Sequence, residues 1–494
     1  MRPLEILLLL ALLPVLLAYF VPRRSRPNWA RLLAWVALGI MLVHFLVEKY
    51  RWQLVPAYAL VILSCLLALR KIPDVAAPSA WWRTATRMVG ALLALLVLAV
   101  TICLALAFPM FHDPATTGSF KVGTTRLFFL DSSREDPFAP KPHTPRELLA
   151  AVWYPADVAA DAAPLPFWPK DSAAGPALTQ LLHSPGFVFS HGYSGTIWQN
   201  TPQMEELASH GFIVLSLGHT YESGAVPFPD GRVVLMSQAR MDALMKSAAG
   251  PEMATLFKKL QATNDPADIK RISTRLVELG APMNDSLDLW VADTRYLMDE
   301  LEKINAGADA GISGPAQRFA GRLAVNRMGI FGMSYGGATA GEVCLHDPRC
   351  KAGLNYDGGQ FGDVNGHPLP KPFLYFTSET NKMNDSIYEG SNADLYSVHV
   401  KRSTHLDFTD LSMAMPGFKY LSVQGVSVLG PIEADRIEHI MNAYSLAFFE
   451  KYLQGQTHQP LLEAPAPEEF PDVVFTAHPA PQGQASATAA AAGK

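Results

Sequence analysis

Gly332-Met333-Ser334-Tyr335-Gly336 sets a hydroxyl between glycines placed two residues to either side. That spacing suits a serine on a sharp strand-to-helix turn. Without Cβ atoms at the flanking positions, strand and helix approach closely, and the hydroxyl projects at a helix N-terminus that favours negative charge. A serine hydroxyl is a weak nucleophile at neutral pH and needs a base that is itself oriented by a third group. With Ser334 as candidate nucleophile for acyl chemistry, the chain must also supply a histidine, a carboxylate and two backbone N–H donors for an oxyanion.

The elements that would position these groups are legible as alternating patterns. The pentapeptide follows an apolar strand over 326–331 and opens a small-residue run over 337–343 that can pack as a helix on a sheet. Further strands are expected at 149–154, 186–190, 212–216, 352–356, 373–377 and 397–401, with helices at 202–210, 287–304 and 432–453. Such alternation predicts an α/β class, a mostly parallel sheet flanked by helices in the manner of the α/β-hydrolase fold, over 118–460. Residues 221–289 break the rhythm with amphipathic stretches at 254–260 and 269–279, which predicts a helical insertion. From 461 to 494 the chain is rich in Pro and Ala, and a disordered tail is expected.

In this fold the order along the chain is nucleophile, acid, base. His405 follows the strand at 397–401, at the sheet edge where Ser334 also emerges, and is the expected general base. His399 lies inside that strand, and His346 and His439 lie on expected helices. Asp357 ends the strand after the nucleophile helix, whereas Glu379 and Asp385 follow the next one; spacing leaves the acid open among the three. One oxyanion donor is expected from the amide of Tyr335, directly after the nucleophile. The other is expected from Tyr193, in the loop Ser190-His191-Gly192-Tyr193 that follows an earlier strand. His191 precedes Ser334 in the chain and is read as a brace for that loop.

Together, Phe187-Val188-Phe189-Ser190-His191-Gly192, the stretch from Leu207 through His210-Gly211 to Val214, the nucleophile region from Ile330 to Thr339, and Thr404-His405-Leu406-Asp407-Phe408-Thr409-Asp410 resemble the platelet-activating factor acetylhydrolases of the plasma and intracellular type II group, also called lipoprotein-associated phospholipase A2. The resemblance implies Asp357 as the acid, with Glu379 the runner-up. It also implies calcium-independent hydrolysis of phospholipids with short or oxidised sn-2 acyl chains, with no cofactor. An acyltransferase would use the same residues, and a non-catalytic binding domain on a membrane anchor is the reading from another class.

Residues 1–110 differ in kind. Runs at 4–21, 32–47, 54–69 and 89–108 are almost uninterrupted apolar sequence, which predicts about four membrane-spanning helices and a bilayer as partner. Basic residues crowd the first and third loops (Arg23, Arg24, Arg26, Arg31; Arg70, Lys71, Arg83, Arg87), while the second holds Lys49 and Arg51 beside Glu48. By the positive-inside rule both termini and the catalytic domain are expected on the extracytoplasmic side, the periplasm of a bacterial cell. In that compartment a Cys344–Cys350 bond is permitted, though spacing alone does not establish it. A net charge of -5 carries no basic signature for nucleic acid, and no Cys/His spacing marks a zinc site. Alkaline phosphatase fused after Met110 is expected to be active in cells; an inactive fusion reverses the topology.

Overall fold

The computed structural model describes residues 1–22, 25–69, 81–109, 114–156, 184–242, 250–280, 284–308, 316–384, 391–423 and 426–481. Arg23, Arg24, Arg70 and Lys71, on which the expected orientation partly rests, lie outside the described residues, as do Asp385 and 482–494 of the expected tail. The chain divides into two compact units: Met1–His112 with Met413–Leu421, and Asp113–Ser412 with Ser422–Lys494.

In the first unit, α1 (Pro3–Leu17), α2 (Asn28–Val47), α3 (Val55–Leu69) and α4 (Trp81–Ala107) follow the four apolar runs. The segments Pro3–Phe20, Asn28–Val47, Trp52–Leu69 and Thr84–Ala107 are long and apolar enough to cross a membrane. Leu8, Leu12, Ala37, Ala57 and Val61 meet inside the bundle, while Leu10, Leu46, Leu66 and Leu96 face outward. Apolar side chains on both faces are what a helix in hydrocarbon requires. The apolar pattern conceals a charged centre. Glu5 is fully buried and accepts from Arg51 Nη1 at 2.8 Å and Arg2 Nε at 2.7 Å. Arg51 also donates to the carbonyls of Ala105 and Phe108. Ions taken out of water need this degree of pairing.

The second unit is built on strands β1 (Lys121–Glu135), β2 (Pro145–Ala156), β3 (Ser184–Ser190), β4 (Ile213–Gly218), β5 (Ala225–Pro227), β6 (Val233–Leu235) and β7 (Leu323–Met333). They continue with β8 (Cys350–Tyr356), β9 (Phe373–Ser378), β10 (Leu395–Val400), β11 (Ser422–Val423), β12 (Val426–Ser427) and β13 (Val473–His478). One mixed sheet has the order β1-β2-β4-β3-β7-β8-β9-β10-β13, and β5–β6 and β11–β12 form small hairpins. The six central strands run parallel, while β1, β2 and β13 pair antiparallel at the edges. Helices α5 (Thr201–Ser209), α6 (Pro251–Ala262), α7 (Pro266–Leu279), α8 (Asn284–Asn305), α9 (Tyr335–His346) and α10 (Ala434–Phe449) complete the α/β-hydrolase architecture.

Period-two alternation sorts the core into two layers. Phe187, Phe189, Phe331, Leu354 and Phe376 face one side, where α5 and α10 contribute Leu207, Ile440 and Phe448. Val188, Leu215 and Ile330 face the other, against Leu297, Met298 and Leu301 of α8 and Ala340 and Val343 of α9. Each such side chain contributes roughly 1.5–3 kcal/mol by leaving water.

One expectation is corrected. The disordered tail does not begin at 461: Pro460–Glu463 is a helical turn, and Val473–His478 pairs with β10 along its whole length. Only Phe475 within that strand is buried, so its apolar pattern is too thin to mark a strand in the sequence. The region 221–289 does carry helices, α6 and α7, but begins with the β5–β6 hairpin.

Cys344 at the end of α9 and Cys350 at the start of β8 form a disulfide, with Cα atoms 5.1 Å apart. The bond closes the turn between α9 and β8. Cys344→Ser is expected to destabilise the second unit by about 2 kcal/mol, the entropy of a short loop; chemical denaturation of the detergent-solubilised chain with and without reductant checks this.

Candidate active site

Ser334 sits between β7 and α9 with φ 55° and ψ −116°, a conformation that residues bearing a Cβ avoid. Its amide donates to the Tyr356 carbonyl at 2.8 Å, and its carbonyl accepts from Gly337 and Ala338. The flanking glycines are required by contact. A Cβ on Gly336 would lie 1.9 Å from the Ser190 carbonyl oxygen, and one on Gly332 would lie 2.3 Å from the Gly336 backbone. The turn is therefore pressed directly onto the end of β3.

His405 opens a short 3-10 turn (His405–Phe408) beyond β10. Its Nε2 lies 2.8 Å from Ser334 Oγ and its Nδ1 lies 2.8 Å from Asp357 Oδ2. Asp357, at the end of β8 with φ 54°, is buried; its Oδ1 accepts from the Ser378 amide at 2.5 Å and from Asn381 Nδ2 at 3.0 Å. With one oxygen saturated by neutral donors, the other is left to hold the imidazole. The histidine is 45% exposed against 1% for the aspartate, so the imidazole faces solvent while its carboxylate partner does not. The other candidate acid, Glu379, accepts from the Arg402 amide at 2.9 Å and lies outside the hydrogen-bonded line.

The turn that carries His405 has its own supports, none of which spacing revealed. The Asp407 carboxylate accepts from the amides of Thr404 at 2.6 Å and Gly430 at 2.7 Å. Asn200, at the head of α5, donates Nδ2 to the Phe408 carbonyl and its amide to Asp410. The segment Thr404 to Asp410 is thereby fixed to the element that follows the oxyanion loop.

In that loop, His191 Nδ1 pairs with the Gly192 carbonyl at 2.7 Å and Nε2 with the Ser223 hydroxyl at 2.7 Å. Burial and the neighbouring His219 push His191 down to about 3, so it braces the loop as a neutral ring. Gly192 lies against Met333 and Ser334, bringing the loop over the nucleophile. Among the described residues no acceptor takes the Tyr193 amide, and Tyr335 occupies the first turn of α9, where N–H groups lack intrahelical partners. These are the two amides expected from residue order to address an anion.

A second Ser-His-Asp line exists, Ser190–His219–Asp293, with links of 3.2 and 3.0 Å. All three residues are buried, and the serine sits within β3. Burial favours a neutral Asp293, yet Arg146, at 2.6 Å, and His219 outweigh it and hold the carboxyl well below the usual range. This line is core structure, closed to any substrate. Glu342, His346 and Asp363 place possible ligand atoms within 4.8 Å of one another, at a distance along α9 from Ser334, and His346 Nε2 already pairs with Asp363 at 3.1 Å.

A family model described as platelet-activating factor acetylhydrolase, isoform II, matches residues 172–460, more than half of the chain. Similar proteins include the platelet-activating factor acetylhydrolase of Cavia porcellus, 24% identical over 277 residues, which cover 54% of this chain and 57% of that one. A probable 1-alkyl-2-acetylglycerophosphocholine esterase of Arthroderma benhamiae is 28% identical over 310 residues, 59% of this chain and 66% of that one. The chain thus spans 57% and 66% of the length of these curated relatives. Among solved structures, a ferulic acid esterase from Streptomyces cinnamoneus aligns with TM-score 0.55 and 24% identity, covering 74% of this chain and 100% of that one, a likeness of fold.

The contrast between Asp357 and Glu379 is testable without a natural substrate. Asp357→Asn is expected to slow fluorophosphonate labelling of Ser334 by on the order of 10³–10⁴-fold, by loss of the productive imidazole tautomer, whereas Glu379→Gln stays near the wild-type rate.

Proposed function

We propose that this chain, which belongs to the platelet-activating factor acetylhydrolase, isoform II, family, is a serine carboxylic-ester hydrolase acting through an acyl-enzyme at Ser334. The observation that carries the reading is the unbroken line from Ser334 Oγ through His405 to Asp357, with both hydrogen bonds at 2.8 Å.

In the proposed reaction, Ser334 Oγ attacks the ester carbonyl carbon and its proton passes to His405 Nε2. The resulting oxyanion takes hydrogen bonds from the amides of Tyr193 and Tyr335, each worth about 3–4 kcal/mol in the transition state. Collapse breaks the ester C–O bond, and the imidazolium returns its proton to the departing alcohol. Water, deprotonated by the same imidazole, then releases the acid and restores Ser334. Asp357 stabilises the imidazolium and fixes its tautomer throughout.

The names of the relatives, which specify acetyl esters and in one case a 2-acetylglycerophosphocholine, support lipid esters; glycerophospholipids with short or oxidised sn-2 chains are the proposed substrate class. We read residues 1–110 as a four-span anchor and 118–460 together with the edge strand Val473–His478 as the catalytic domain, with 221–289 as its insertion, held on the extracytoplasmic side. The disulfide supports that side, since such bonds persist in oxidising compartments.

Detergent-solubilised protein is expected to hydrolyse p-nitrophenyl acetate and butyrate and to release acetate from a 2-acetyl glycerophospholipid faster than it cleaves a long-chain one. Ser334→Ala should lower turnover by on the order of 10⁶-fold. Undiminished turnover by that variant would end the assignment, and preference for long chains would end the substrate class alone.

A further inference from the structure

Beside the loop that carries Tyr193 lies a buried carboxylate for which the reaction has no use. Glu222, in the turn after β4, accepts from the Tyr193 hydroxyl at 2.8 Å, Trp290 Nε1 at 2.8 Å and Arg240 Nε at 2.9 Å, and from the Ser286 hydroxyl. Its own carbonyl takes the Ser194 amide at 3.2 Å. Tyr193 is therefore held at its ring and at the next peptide. Trp290 extends the hold to the second donor: its indole stacks on the Tyr193 ring at 5.9 Å and meets the Tyr335 ring edge-on at 5.0 Å. The two tyrosines also meet edge-on at 5.3 Å.

We propose that Glu222 is a positioning residue for the oxyanion hole, setting the Tyr193 amide through the Tyr193 hydroxyl and the Tyr335 amide through Trp290. This rests on the reading of those two amides as the oxyanion donors. Such donors act only when preorganised within about 2.7–3.1 Å of the developing charge. The loop has few means of its own to achieve this. Gly192 and Gly195 flank Tyr193 and Ser194 and offer no side chain; the backbone of the loop is held through His191, Gln199 and the Glu222 carbonyl, and the tyrosine ring adds a side-chain hold at the donor residue itself. Burial and the Glu222 charge push the Tyr193 phenol up to about 12, which keeps it a proton donor throughout the neutral range. Glu222 touches neither nucleophile nor base, and its effect is on the donors alone.

The test uses the full-length protein in detergent. Tyr193→Phe deletes one oxygen and keeps the amide and the ring; it is expected to lower kcat on p-nitrophenyl acetate about tenfold with KM within about twofold, per site titrated by fluorophosphonate. Glu222→Ala should lose as much or more, and Tyr193→Phe should cost nothing further in the Glu222→Ala background, because both remove one contact. A trifluoromethyl ketone, which forms a hemiketal oxyanion on the serine, should lose affinity in Tyr193→Phe by the same factor as kcat. A merely structural role would lower the number of titrated sites and leave kcat per site unchanged. That result overturns the proposal, as does a fall in kcat with ketone affinity intact. Should Glu222→Ala fail to fold, Tyr193→Phe decides alone. Wild-type turnover by Ser334→Ala would overturn the hydrolase reading and this proposal with it; an inactive Ser334→Ala beside a fully active Tyr193→Phe overturns the clamp only.

Discussion

The backbone of Ser334, held at φ 55° and ψ −116°, costs of order 1–3 kcal/mol that neighbouring structure must offset. Three parallel strands do so. β7 delivers the serine, β8 receives its amide at the Tyr356 carbonyl, and β3 supplies the surface against which Gly332 and Gly336 are pressed. Because these strands are adjacent and parallel, their carboxyl ends lie side by side. The end of β3 leads into the His191–Gly195 loop and the end of β8 into Asp357, so the constraint that strains the nucleophile also brings loop and acid to one edge. Ligands of open α/β sheets bind at that edge for the same topological reason.

The remaining parts are held by loops, and each loop is held by polar atoms of another. Asp357 would be costly as a lone buried carboxylate; Ser378, Asn381 and His405 together supply the donors that make it affordable. His405 stands on a turn closed by Asp407, whose carboxyl is pushed up by burial while two amides hold it. The turn is tied in its turn to Asn200, at the start of α5. None of these supports is an apolar contact, and each fails if its partner is removed, which is how a partly exposed histidine can still be held in one orientation.

What could be read from residue order follows the range of the interaction. The turn at Ser334 was legible because its steric demand is satisfied within five residues. The buried strands were legible because Phe187, Phe189, Ile330 and Phe331 announce a sheet by type and spacing. His405 followed from the fold order, but the acid did not: Asp357 and Glu379 each end a strand, and only the fold places one beside the imidazole. The clamp on Tyr193 could not be read at all, since Glu222 gathers donors from residues 193, 240, 286 and 290, which are brought together only by packing of α8 on the sheet. The pairing of Cys344 with Cys350 likewise depends on β8 beginning immediately after α9 ends. In the first unit, the pairing of Glu5 is not legible from the apolar run, since its partner Arg51 is 46 residues away.

The buried charges near the site are arranged so that they do not oppose the chemistry. An unpaired anion one tyrosine ring from a developing oxyanion would raise its energy by on the order of 2 kcal/mol at an effective dielectric of about 20, cancelling much of what one amide donor contributes. At Glu222 the charge is balanced by the Arg240 guanidinium at 2.9 Å, with neutral donors on its remaining lone pairs. At Asp293 it is balanced by Arg146, itself buried and shared with Asp136 at 2.7 Å. Burial pushes both His219 and His191 down, so neither ring adds a charge beside the loop at neutral pH. Asp357 differs from Glu222 and Asp293: its partner is the His405 imidazole at 2.8 Å, with no guanidinium at its carboxyl among the described residues. A fold that must bury carboxylates to fix its loops can therefore still avoid a lone anion beside the site, through a paired guanidinium at Glu222 and Asp293 and through neutral donors at Asp407.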